Sequence, residues 1–257
     1  MIYTCYEMIR DCRADKPEGW SYLIANYVPL IRKLLAHYEG QGDSGVLERV
    51  LLAARQPESS LFQSLEPAPE RWFLAELRQR VVAELSDPRP EIEVDLETVA
   101  AAFEPLTVTE KQAAWIETMG YDSAATGAML RMAPQTVAKI RERAAELLRG
   151  KVDAWRRTLL AENGRALGRA AAAASTQDCL AAKFFLDVLD GRTTWRGRET
   201  MEQHLRGCWR CIDHFSRMAE VVELIRGVQP LTEAEAEPFR KLLGLGPEKR
   251  KGVWKVW

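Results

Sequence analysis

Along WSYLIANYVPLIRKLLAHY, the apolar residues Leu23, Tyr27, Leu30, Ile31, Leu34 and Tyr38 recur at steps of three and four. That spacing draws one stripe along a helix, which turns once every ~3.6 residues. GQGDSG at 40–45 breaks the pattern. Val46–Arg55 and Arg71–Glu84 repeat it. SDPRPE at 86–91 carries two prolines and no apolar residue, which predicts a linker over 86–94. Helical spacing returns from Asp95 to about Leu160, and strand-like alternation is scarce throughout. The pattern predicts an all-α chain: a helical bundle over 1–85, the linker, and a second helical unit over 95–160. An Ala-rich tether follows over 161–177, in which alanine favours helix while the glycines and the Ser-Thr end do not. A third compact unit spans 178–227, and a tail over 228–257 ends in KRKGVWKVW.

Length and charge sharpen this. The 257 residues suffice for one large domain or two to three small ones, and 47% hydrophobic with 28% charged residues argues against wholesale disorder. The net charge of −1 names no partner, but it hides two opposed segments. Gly42–Ala100 holds 12 acids and 6 bases, whereas Pro134–Arg157 holds 7 bases and 3 acids. No apolar run reaches the ~18 residues of a membrane span. Charges within MIYTCYEMIRDCRAD do not fit a signal peptide. A cytoplasmic setting follows, where thiols stay reduced and five cysteines suggest metal binding or packing. Cys5 and Cys12 have no histidine nearby and are expected as buried structural thiols. His37, on the amphipathic stripe, is expected to cap or pack.

The basic segment is GYDSAATGAMLRMAPQTVAKIRERAAELLR, 120–149. A short helix over Ser123–Leu130, a tight break, and a basic helix opened by Pro134 make a helix-turn-helix layout. Gln135 and Thr136 stand where such a motif contacts bases or phosphates. Lys139, Arg141 and Arg143 would supply the phosphate contacts.

HLRGCWRC at 204–211 holds one of the chain's three histidines and two of its five cysteines in eight positions. His204 and Cys208 are four apart, so on a helix they share a face, and Cys211 follows one step later. Such donors suit Zn²⁺ in a closed structural shell. The fourth donor is either Cys179, upstream, or His214, three residues past Cys211. No phosphate loop, serine-nucleophile motif or paired general acid and base is present, so no enzyme is expected.

Three stretches have family likenesses. Gly120, Leu130, Thr136, Val137, Arg143, Ala144, Leu148 and Arg149 sit in the register of region 4 of extracytoplasmic-function (ECF) sigma-70 factors, which the segment resembles. Ala125, Thr126 and Gly127 depart from that family's Glu-Ile-Ala; Gly127 weakens a helix by ~1 kcal/mol relative to alanine. Residues 1–85 resemble region 2 of such factors, with Trp20–Tyr38 as its first long helix and Arg71–Glu84 as its last. Asp43 and Glu48 are what remains of the acidic helix that docks on the polymerase. Cys179, FFLDVLDG (184–191) and MEQHLRGCWRC (201–211) resemble the zinc-binding anti-sigma domain, which implies Cys179 as the fourth ligand.

Together the resemblances imply an ECF-type sigma factor fused to its own zinc-binding anti-sigma-like domain. Its partners would be core RNA polymerase and promoter DNA, with the zinc domain folded back on the sigma-like units. A disulfide between Cys208 and Cys211 would expel the zinc and loosen that domain. The departures at 43–51 and at Thr126-Gly127 fit a second reading, a regulatory interaction module that does not initiate transcription. The basic, Trp-containing tail suits an anionic lipid surface.

Overall fold

Several helices begin where the sequence caps them. Thr4, Thr107 and Thr232 each accept a hydrogen bond from the N–H of a glutamate three residues on, and that glutamate's carboxylate returns to the threonine N–H. The three boxes open α1 (Cys5–Arg13), α7 (Val108–Thr118) and α14 (Glu233–Leu242). The computed structural model describes residues 3–39, 44–56, 60–63, 70–85, 96–150, 164–174 and 178–246. Among them all regular structure is helical, as the spacing predicts.

The N-terminal bundle contains α1, α2 (Pro17–Glu39), α3 (Ser44–Arg55), α4 (Ser60–Gln63) and α5 (Glu70–Glu84). The predicted stripe is its core: Leu23, Tyr27, Leu30, Ile31 and Leu34 are at most 1% exposed. Pro29 lies inside α2 and has no N–H to offer the Ala25 carbonyl one turn back. That carbonyl accepts instead from the Leu231 N–H, 2.8 Å away. The second unit contains α6 (Leu96–Ala102), α7, α8 (Ser123–Leu130) and α9 (Pro134–Leu148). Then come α10 (Gly164–Ala173), α11 (Ala182–Leu189), α12 (Trp195–Leu205), α13 (Trp209–Leu224) and α14. The 86–94 linker and the Trp-containing end, 247–257, lie outside the described residues. Of the tether, 164–174 are described: α10 is helical and buries Leu167 and Ala171.

Helix α13 sits at the centre. It packs against α2 and α5 of the bundle, against α7 and α8 of the second unit, and against α10. It is buried nearly all round, from Trp209 and Cys211 to Glu220 and Val221. One apolar core runs through the molecule, from Cys5 to Leu245. The segment that looks like a tail also contributes: α14 packs across α2 and α3, and Arg32 stands 5.3 Å over the Phe239 ring.

Candidate functional site

Cys179, His204, Cys208 and Cys211 come together, with their ligand atoms all within 4.8 Å of one another. The elements that place them differ in one respect from a single helical face. Helix α12 ends at Leu205, so His204 lies in its last turn and Cys208 is the N-cap of α13. The Cys208 N–H still reaches the His204 carbonyl at 3.2 Å, which preserves helical spacing across the break at Arg206-Gly207. Cys211 follows in the first turn of α13. Cys179 comes from the segment before α11.

The distances suit a metal. A tetrahedral ion with ~2.3 Å bonds to sulfur sets its sulfurs ~3.8 Å apart, and with ~2.0 Å to nitrogen sets N···S at ~3.5 Å. Cys179 Sγ and Cys208 Sγ are 3.8 Å apart. His204 Nε2 and Cys211 Sγ are 3.2 Å apart. Burial pushes the Cys211 thiol up to about 12, against a lowering hydrogen bond from the Leu180 backbone. Protonated thiols packed this closely gain little from one another; a divalent cation would displace their protons and hold the set. The group can therefore hold a metal ion, and with four protein donors it would leave no open position for substrate.

His214, the other sequence candidate, is outside this group. Its ring lies 5.6 Å from that of Phe185. Its Nε2 is buried with no hydrogen-bond partner among the described residues. Burial, with Arg217 and Arg210 beside it, pulls the imidazole down to about 4. Cys5 and Cys12 are buried and unbridged in the bundle. Burial raises the Cys5 thiol to about 11. His37 packs flat on Tyr121, ring centroids 3.8 Å apart. It also pairs with the Met119 carbonyl at 2.8 Å, so it joins the bundle to the end of α7.

The helix-turn-helix layout is present in α8 and α9. Asp122 caps α8, accepting from the Ala125 N–H at 2.7 Å. Arg131 makes the turn in the left-handed region, φ 56°. The Gly127 carbonyl takes the Met132 N–H at 2.8 Å. A Cβ on Gly127 would stand 2.6 Å from the Met132 carbonyl oxygen, so the glycine that weakens α8 also lets the turn close. Thr126 is fully buried, its hydroxyl without a partner among the described residues. Gln135, Thr136 and Lys139 are exposed at the start of α9. Arg141 and Arg143 are engaged at home: Arg141 pairs with Glu117 at 2.9 Å and Arg143 with Glu110 at 2.7 Å. On α3, Glu48 is exposed; Asp43 lies outside the described residues.

A second cluster, centred on α13, has no signature in the sequence. Glu220 is wholly buried and pairs with the buried Arg78 of α5 at 2.7 Å. Its other oxygen accepts from Tyr38 of α2 and from Tyr121 before α8, each at 2.6 Å. Burial pulls the Arg78 guanidinium down, but Glu220, Tyr38 and Asp213 outweigh it and hold Arg78 charged. Burial raises both phenols far above their ordinary value, so they remain donors. Two turns earlier, Asp213 accepts from Trp115 Nε1 of α7 at 3.0 Å and pairs with Arg217. Lys111 of α7 donates to the Arg206 carbonyl at 2.7 Å. Lys33 of α2 donates to the Leu224 carbonyl at 2.9 Å, a cation at the negative end of α13. Apart from Asp213 and Arg217, which are four apart, each partner lies more than 90 residues from its mate, which is why local spacing gives no sign of them. Comparison with protein-family models, with curated proteins and with solved structures returns no match.

Proposed function

We propose that the chain is a DNA-binding transcription initiation factor of the ECF sigma type, regulated by its own zinc-binding domain. The observation that carries this reading is the seat of α13. The helix that supplies Cys211 also bonds the region 2-like bundle through Arg78 and Tyr38, and the helix-turn-helix unit through Tyr121 and Trp115. A domain so placed holds both sigma-like units in one arrangement. Because it is tethered, modest contacts suffice to keep it there. Gln135, Thr136 and Lys139 face solvent at the start of α9, where promoter DNA would meet them. Arg141 and Arg143 would trade their carboxylate partners for phosphates. Zn²⁺ is the ion proposed for the site, because three thiolates and one imidazole in a closed shell suit it. It would act as a staple between the 179 segment and the α12–α13 junction. The proposed setting is the cytoplasm, with core RNA polymerase as partner.

The second reading, a regulatory module that does not initiate, has one observation in its favour. Helix α14 lies across α2 and α3, the part of the bundle where a sigma factor would meet the polymerase. Binding to core RNA polymerase by the full chain, beside a chain ending at residue 177, tests both. Binding of the shortened chain alone supports a built-in inhibitor, and promoter-dependent run-off transcription by it excludes the second reading. No binding by either sinks the sigma reading and favours the module.

A further inference from the structure

His204, Cys208 and Cys211 lie within eight consecutive residues, on one helix end and the start of the next. Cys179 is the distant member, 25 residues before His204 and outside any helix. His214 follows Cys211 by three residues on α13, a spacing that sets Cβ atoms ~5–6 Å apart. Its buried Nε2 has no hydrogen-bond partner among the described residues. Native structures seldom leave a buried polar atom so without a use for it. Cys179 and His214 line the same cleft of about 460 Å³, between Trp72 and Gln79 of α5 and Arg210 of α13.

We propose that His214 is a reserve metal ligand. When the Cys179 thiolate leaves the ion, the His214 imidazole takes its place, and a Cys₃His shell becomes Cys₂His₂. Both are closed tetrahedral shells that zinc accepts. The metal then stays on the α12–α13 junction, while the 178–181 segment and α11 lose their tie to it. The site would thereby release its upstream arm without losing its ion. This rests on the metal reading given above.

Cobalt(II) is the probe, because its visible bands report geometry and its thiolate charge-transfer band reports the number of sulfurs. The full chain, Cys179→Ala, His214→Ala and the double variant are each titrated with Co²⁺, with circular dichroism as the check on folding. The native chain and His214→Ala are expected to bind one ion with three-thiolate intensity. Cys179→Ala should still bind one ion in tetrahedral geometry, with charge-transfer intensity at about two-thirds, since two of three thiolates remain. The double variant should bind at least about tenfold more weakly than Cys179→Ala. Three results overturn the proposal: Cys179→Ala binds no cobalt, it loses its fold, or it binds no better than the double variant. A native chain that takes up no cobalt refutes the metal reading itself, and the reserve role with it.

Discussion

Gly127 shows how one residue's meaning changes between sequence and fold. By propensity alone, alanine in its place would stabilise α8 by ~1 kcal/mol. In the structure the new methyl would press on the Met132 carbonyl, 2.6 Å away, and that oxygen belongs to the turn's backbone and has little room to yield. Gly127→Ala is therefore expected to destabilise the chain by ~1–3 kcal/mol, the range for overpacking, in urea unfolding. A stabilised variant would mean that the turn opens freely. Arg131 carries the matching strain, since it takes the left-handed conformation that glycine or asparagine usually fills. Neither feature shows in the hydrophobic pattern, because both belong to a tight backbone approach between residues five apart.

At the scale of elements, α13 depends on polar groups that it buries. Removing one partner of a buried ion pair costs ~3–5 kcal/mol, because the other charge is left without compensation. Glu220→Ala should reach that range, and Tyr121→Phe about 1 kcal/mol, one hydrogen bond. Arg78→Met combined with Glu220→Leu should cost much less than the single Glu220 change, and a double-mutant cycle by thermal unfolding measures the difference. Additive losses would mean that Arg78 and Glu220 do not act as a pair. What could be read from the sequence follows the range of each interaction. The stripe of α2, the α8–α9 pair and the His204–Cys208–Cys211 spacing are local, and the spacing alone specifies them. Cys179 needed the likeness to the anti-sigma pattern to be preferred over His214. Helix α14 had a local sign, the Thr232-x-x-Glu235 box, but its short length and Pro238 masked the helical period. The Glu220 cluster joins positions 99 to 182 residues apart, and only the folded chain brings them together.

For the whole molecule, one core means that local loss should be felt widely. If the four-donor group holds zinc, an ion at ~100 times its dissociation constant adds ~2.7 kcal/mol to stability. Chelation should then move a single thermal transition downward as one, because α13 supplies Cys211 and packs against both the N-terminal bundle and the helix-turn-helix unit. Two separated transitions after chelation would show that the metal-binding segment unfolds alone. The place of Pro29 inside α2 has a consequence in time. Ala25 leaves the ribosome 206 residues before Leu231, which at ~5–20 residues per second is ~10–40 s. For that interval the carbonyl that proline frees waits for the Leu231 N–H, and α14 has not yet been made. Each newly made chain thus passes through a period in which its first two units have been made and α13 and α14 are still being synthesised.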